Sequence, residues 1–307
     1  MLKAPFPWFG GKSRVALQVW DRFGDVANYV EPFAGSLAVL LGRPTPQKTE
    51  TVNDLDCYIA NFWRAVAADP VSVASWAAWP VNEADLLARH TWLHEQGDFR
   101  RRMRVEADFY DAKVAGWWAW GISAWIGSGW CVVRGDGPPS QLPHLGSAGM
   151  GLHRKLPHLG DAGRGQMLWL MELSDRLRRV RVACGEWDRV LGESVTVKHG
   201  VTGVLLDPPY SSGEHDVTYS ADSGDVATRV REWAIANGDN PGLRIALCGY
   251  DGEHAMPETW EAFAWKAQGG YGSQGKGRGR DNAARERVWF SPHCLRPMSL
   301  FNQELTS

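Results

Sequence analysis

The chain of 307 residues is long enough for one large domain or two modest ones, and its 44% apolar and 22% charged residues are ordinary for a soluble globular protein. A net charge of −2 excludes a generic polyanion binder, no apolar stretch reaches the length a bilayer crossing needs, and the opening Met1 to Pro7 has no signal-peptide core. The five cysteines are odd in number, scattered and without a Cys-x-x-Cys, which argues against a disulfide framework or a zinc site and for a reducing cytoplasm.

In chain order, the first notable element is Pro7-Trp8-Phe9-Gly10-Gly11-Lys12. Its two glycines let backbone approach a ligand closely, and a positive charge follows at once. Asn28 to Glu31 then reads as a strand, leading through Pro32-Phe33-Ala34-Gly35-Ser36 into the helical pattern Leu37 to Leu41. Thr51 to Asp56 is a second short strand ending in carboxylates, followed by a helix from Cys57 to Ala68. Apolar runs of this kind suit a parallel sheet covered on both faces.

The texture changes between residues 65 and 181. Asp69 to Arg104 looks helical and ends in Arg100, Arg101, Arg102 and Arg104. A Trp-rich stretch follows, with Trp117, Trp118, Trp120, Trp125 and Trp130, which core packing explains better than base stacking. The segment Leu142-Pro143-His144-Leu145-Gly146 recurs as Leu156-Pro157-His158-Leu159-Gly160. Two copies are too few for a solenoid and read as one long functional loop. Residues 96–181 carry 13 Lys/Arg against 8 Asp/Glu, and residues 272–287 carry 5 against 2, so the rest of the chain is acidic. That asymmetry suits a localised phosphate-binding surface, and equally a set of solvated helix faces.

Val201 to Leu206 is a further strand, and it stops in Asp207-Pro208-Pro209-Tyr210. The tetrad suits a planar base bearing an amino group. Asp207 can accept one N–H, the carbonyl of Pro208 in a stiff turn can accept the other, and Tyr210 offers a flat face. The same four residues also read as a rigid surface turn. Leu243 to Cys248 and Arg287 to Ser291 read as two more strands, flanking a basic, Gly-rich segment at 271–280.

Taken in order, Trp8-Phe9-Gly10-Gly11-Lys12, Glu31-Pro32-Phe33-Ala34-Gly35-Ser36, Asn53-Asp54 and Asp207-Pro208-Pro209-Tyr210 resemble the Dam-like D12 class (alpha group) of S-adenosylmethionine-dependent DNA adenine-N6 methyltransferases. The resemblance covers residues 5–64 and 182–215 well and 243–292 loosely. It implies an α/β fold, a Rossmann-like methyltransferase sheet with helices on both faces. A catalytic domain of residues 1–64 and 182–307 would be interrupted by a mainly helical and loop-built target-recognition domain at 65–181.

The resemblance assigns S-adenosylmethionine to Trp8, Gly10, Gly11, Lys12, Glu31, Pro32, Phe33, Ala34, Gly35, Ser36, Asp54, Glu186, Trp187 and Asp207, and the chemistry to Asp207, Pro208, Pro209 and Tyr210. The turn around Gly35 would aim N–H groups at the methionine carboxylate, and Asp54 would accept the ribose hydroxyls. Phe33 would lie against the sulfonium, and Lys12 beside the methyl group or the target base. Glu186 stands where the family has Asp, and Trp187 reads equally as a core residue. Double-stranded DNA is the implied partner, with base flipping, and Arg100, Arg101, Arg102, Arg104, Arg134, Arg154, Lys155, Arg164, Lys276 and Arg278 are the phosphate-contact candidates. No metal is implied, and a functional monomer is expected.

Two departures stand out. Pro7 occupies the place of the lysine that GATC-reading members put before the Trp, and no Asn-x-Pro-x-Gly hairpin occurs between 65 and 181. The recognition sequence is therefore open. Cytosine-N4 or RNA methylation would reuse the same tetrad, although Asp207 favours adenine, and a DNA-binding relative without catalysis is a third reading. A solitary enzyme and a restriction–modification partner both fit.

Overall fold

The computed structural model describes residues 2–8, 11–45, 48–125, 130–131, 151–152, 164–210, 223–265 and 285–296. Its centre is a seven-stranded sheet of order β3-β2-β1-β4-β5-β7-β6. The strands are β1 (Asn28–Glu31), β2 (Thr49–Asp54), β3 (Val180–Cys184), β4 (Thr202–Leu206), β5 (Leu243–Tyr250), β6 (Glu261–Ala264) and β7 (Glu286–Phe290). The first five run parallel. β7 is antiparallel to β5, and β6 to β7.

The central strands β1 and β4 are buried along their whole length, which is why they read as continuous apolar runs. Side-chain alternation sends Val204 and Leu206 to one face, with Val230 and Ala234 of α9 (Ser223–Asn237). Leu205 goes to the other face, with Val19 of α1 (Ala16–Phe23) and Ile59 of α3 (Cys57–Ala68). The sheet thus has helices on both faces, as expected. After β1 the chain turns toward β2, and after β4 toward β5, so the loops beyond Glu31 and Leu206 face each other across a topological switch point. Ligands of open α/β sheets bind in that crevice.

Two strands escaped the sequence reading. β3 carries Arg181 within Val180-Arg181-Val182-Ala183-Cys184, and β6 is a four-residue, largely exposed edge. The antiparallel end of the sheet also corrects the reading of these apolar runs as purely parallel strands. A buried antiparallel strand shows the same continuous hydrophobicity, so strand direction does not register in the pattern.

The stretch from Asp69 is three helices: α4 (Pro70–Ala77), α5 (Glu83–His94) and α6 (Gly97–Val105), after the short α2 (Ala38–Leu41) and α3. Asp56, Asp69, Asn82 and Asp111 cap α3, α4, α5 and α7 (Ala112–Ala124) with side-chain oxygens on backbone N–H groups. Both α7 and α8 (Arg164–Leu177) pack against α3 and α4. Trp118 and Trp120 are 2% and 0% exposed, and Trp130 packs against Gly121, donating Nε1–H to the Trp118 carbonyl at 3.0 Å. These rings fill the core.

Phe6 is the link from this packing to the crevice. Its ring meets Trp118 at 4.9 Å and Phe62 at 5.2 Å, both edge-on, and so anchors the N-terminal segment that carries Trp8, Gly11 and Lys12. A second link is ionic. Arg43 and Arg176 both bind the buried Glu50, at 3.0 and 2.7 Å, tying β2 to α8. The duplicated Leu-Pro-His-Leu-Gly segments and the Gly-rich basic stretch lie outside the described residues.

Candidate active site

Four polar side chains from three distant segments meet beyond the end of β4. Lys12 opens a single 3-10 turn (Lys12–Arg14), Asp207 and Tyr210 follow β4, and Glu286 begins β7. Lys12 Nζ lies 2.8 Å from Asp207 Oδ1 and 4.0 Å from Glu286 Oε2. The Tyr210 hydroxyl is 3.1 Å from Asp207 Oδ1 and 2.9 Å from Glu286 Oε2. Asp207 is the most accessible of the two carboxylates, with its side chain 24% exposed against 4% for Glu286.

The electrostatics follow from burial. Desolvation opposes the charge on Lys12, but the Asp207 and Glu286 carboxylates outweigh it and hold the ammonium above its ordinary pKa. Burial, reinforced by the same carboxylates, pushes the Tyr210 phenol well up, so it stays protonated and donates. Burial also raises Glu286, with the charge of Asp207 adding while Lys12 and the Tyr210 hydrogen bond oppose.

Aromatic side chains line the cluster. Tyr210 and Tyr250 meet edge-on at 4.6 Å, and Lys12 Nζ stands 5.1 Å from the Tyr210 ring and 5.8 Å from that of Trp265. The indole N–H of Trp265 is buried with no hydrogen-bond partner among the described residues. Glu286, Tyr250 and Trp265 were absent from the sequence candidates. The available signal was Glu286 itself, a lone acid opening the apolar strand Glu286-Arg287-Val288-Trp289-Phe290.

The neighbouring half of the crevice is built by Asn53 and Asp54 at the end of β2. The Asn53 amide donates to the carbonyls of Pro32 and Gly185, at 3.0 and 2.9 Å, and so clamps the loops after β1 and β3 to β2. Asp54 accepts the N–H groups of Gly35 and Asp56, at 3.0 and 2.9 Å. Burial pushes its carboxyl up to about 7, the charge of Asp56 adding and the two N–H donors opposing. Glu31 is buried and accepts the Tyr29 hydroxyl at 2.9 Å. Burial raises it to about 8 despite that hydrogen bond.

Gly35 has φ +44°, and a Cβ there would stand 2.5 Å from Trp8 Nε1. Only glycine lets this turn pass under Trp8. The N–H groups of Ala34, Gly35 and Leu37 go to Asn53 O, Asp54 Oδ2 and Ala34 O respectively, so the fold itself uses them. Phe33 and Trp187 stack at 6.2 Å. Trp187 is 5% exposed, and its indole N–H is buried without a partner among the described residues. Glu186 beside it is exposed.

An aromatic pair with an orphaned donor, a carboxylate at the end of β2 and a glycine turn too tight for a side chain together fit an adenosine-bearing cofactor. Among the described residues no group of three or more His, Cys, Asp and Glu could hold a metal ion.

Of the sequence-selected site residues, Trp8, Gly11, Lys12, Glu31 to Ser36, Asp54, Glu186, Trp187 and Asp207 to Tyr210 stand in or around this crevice. Gly10 lies outside the described residues, as do Arg134, Arg154, Lys155, Lys276 and Arg278, and of Arg164 only the backbone, at the start of α8, is described. The arginines of α6 have partners within the chain. Arg100 reaches the Tyr58 hydroxyl at 3.3 Å, Arg101 pairs with Asp98 at 2.7 Å, and Arg102 pairs with Glu106 at 2.9 Å. Arg104 is exposed and near Cys57.

Residues 8–110 match the family model described as D12 class N6 adenine-specific DNA methyltransferase. That stretch holds the Gly-Gly-Lys element, β1, β2 and helices α1 to α6, while the tetrad lies beyond it. No curated protein matches the chain.

Proposed function

We propose how this chain, a D12 class N6 adenine-specific DNA methyltransferase, divides its reaction among its residues. The carrying observation is the Lys12–Asp207–Tyr210 cluster at the switch point, next to the crevice half built by Asn53 and Asp54.

S-adenosylmethionine, the donor the family implies, would supply an electrophilic sulfonium methyl when bound. Asp54 and the Phe33–Trp187 pair are the residues we assign to its ribose and adenine, with Gly35 and Trp8 shaping the wall. Asp207 and the Pro208 carbonyl would accept the two N6–H bonds of the target adenine, drawing the amino nitrogen out of conjugation with the ring. Attack on the methyl then needs positioning more than acid–base power. Lys12 fixes the Asp207 carboxylate through the 2.8 Å contact. The adenine must leave the duplex, at a cost of about a few kcal/mol, and we assign the aromatic surface of Tyr210, with Tyr250 and Trp265 behind it, to receiving the base.

Residues 65–181 would form the target-recognition part, and 1–64 with 182–307 the catalytic part. Arg104 and the basic segments are the candidates for phosphate contact with double-stranded DNA, and the enzyme would act as a monomer. Five buried free thiols suit a reducing compartment. Among the described residues no helix is long and apolar enough to cross a membrane.

The test is nucleoside mass spectrometry of methylation-free DNA incubated with purified protein and S-adenosylmethionine. N6-methyladenine is the expected product. N4-methylcytosine alone, or modification of RNA alone, would replace the adenine assignment.

A further inference from the structure

The Tyr210 hydroxyl carries one proton and faces two carboxylates within hydrogen-bond distance, Asp207 Oδ1 at 3.1 Å and Glu286 Oε2 at 2.9 Å. One O–H donates along one direction at a time. With both acids ionised, one of these oxygen pairs would hold no hydrogen. The trio therefore has room for exactly the kind of cargo the reaction releases, a second proton.

We propose that Glu286 is the terminal acceptor of the proton lost from the methylated amino group, reached from Asp207 through the Tyr210 hydroxyl. This rests on reading Asp207 as the acceptor of the N6–H bond. As the N6–C bond forms and the S–C bond breaks, positive charge passes from sulfur to N6. One N6 proton then goes to Asp207. The Asp207 proton moves to the Tyr210 oxygen while the phenolic hydrogen moves to Glu286 Oε2. Tyr210 ends neutral, Asp207 is again ionised, and the net change is one proton carried from N6 to Glu286.

The surroundings favour this direction. Glu286 is 4% exposed, and burial raises its proton affinity above that of an ordinary carboxylate. Among the described residues the groups facing it are Lys12 on the N-terminal turn, Asp207 and Tyr210 after β4, Cys248 on β5 and Glu253 in the turn beyond β5. Burial holds the Cys248 thiol neutral, and the Lys12 ammonium keeps its charge. Among these described groups only the carboxylates are left to exchange a proton. Glu286 makes no contact with the base in this scheme and acts through Tyr210, so it is a positioning and proton-accepting residue.

Glu286→Gln keeps the shape and a hydrogen bond to Tyr210 but takes up no proton. The expected result is a single-turnover methylation rate lowered by about 10²-fold, DNA and cofactor affinities within about twofold, and loss of the acid limb of the rate–pH profile. Tyr210→Phe, which cuts the relay while leaving Glu286 in place, should lose the same limb. A readout apart from activity is the melting temperature against pH. Because folding raises the Glu286 pKa, wild type should lose stability relative to the Gln variant as pH climbs through that raised value.

A wild-type rate and an unchanged acid limb in Glu286→Gln would overturn the proposal. Identical pH dependence of melting in the two proteins would overturn it too, whether or not DNA is methylated. Failure of wild type to make N6-methyladenine would instead count against the proposed function, and the melting comparison would still decide the role of Glu286.

Discussion

Lys12, on the N-terminal turn, places its Nζ 2.8 Å from Asp207 Oδ1, with the lysine side chain 5% and the aspartate side chain 24% exposed. The two ends of this pair are unequal. Asp207 left alone keeps access to water, whereas Lys12 left alone keeps a buried charge with Glu286 at 4.0 Å. Asp207→Ala should therefore cost more stability, about 2–3 kcal/mol, than Lys12→Met, about 1 kcal/mol. Methyl transfer should vanish in Asp207→Ala while cofactor affinity changes by less than about threefold, because the proposed N6 acceptor is gone and the Asn53–Asp54 half is intact. Urea melts and single-turnover assays on both variants check this. Normal turnover in Asp207→Ala would remove the aspartate from the chemistry.

The turn after β1 gives a second prediction. Gly35 sits at φ +44° with Trp8 Nε1 at 2.5 Å from the place of a Cβ. Gly35→Ala should cost about 1–3 kcal/mol and displace Trp8, weakening cofactor binding by about tenfold or more. Gly97→Ala is the control: a Cβ there meets nothing within 4 Å, and alanine at the start of α6 should be neutral or stabilising by about 0.5 kcal/mol. Comparable losses in the two variants would show that crowding under Trp8 is not what fixes the glycine.

The placement of much of this candidate site was legible in the sequence because its parts announce themselves locally. A strand that ends in Asp207-Pro208-Pro209-Tyr210 can only turn, and a Gly35 flanked by small residues marks a close approach. Strand β1, helix α3 and the central run of β4 fell within a residue or two of their expected bounds, since each is a continuous buried run or has a cap such as Asp56. Glu286 was legible only as a lone acid at the start of an apolar strand. Its place beside the tetrad depends on the pairing of β5 with β7, which sets it opposite Tyr250, and no local pattern encodes that register. The partners of Arg101 and Arg102 were hidden for a different reason. Asp98 and Glu106 lie on the same helical surface, so the arginine run advertises more free charge than α6 carries.

Glu50 supplies a prediction about stability without catalysis. Its carboxylate is 1% exposed and holds both Arg43 and Arg176, and Arg43 also donates to the Val26 carbonyl at 2.6 Å. Glu50→Ala would strand two guanidinium groups, one fully buried, at a cost of about 3–5 kcal/mol. Since Glu50 is at the opposite end of β2 from Asp54, variant molecules that remain folded should bind cofactor and methylate DNA normally. A calorimetric melt beside a cofactor titration separates the two effects. Preserved stability would mean that water replaces the carboxylate between the arginines.

The proposed ribose contact of Asp54 should make cofactor binding depend on pH. Burial raises its carboxyl from 3.8 to about 7, so the folded apo-protein holds a proton that the unfolded chain gives up. The contribution to stability is therefore complete below about pH 4 and is lost as pH rises toward the folded value of about 7. Ribose hydroxyls donating to Asp54 would favour its anion and expel that proton. Affinity for S-adenosylmethionine should then improve by up to about tenfold per pH unit below about 7 and level off above it. Titration calorimetry in two buffers of different ionisation enthalpy should detect proton release at pH 6 and none at pH 8.5. Asp54→Asn should bind weakly, with a dissociation constant that does not change across this range. A wild-type affinity equally indifferent to pH would detach Asp54 from the ribose.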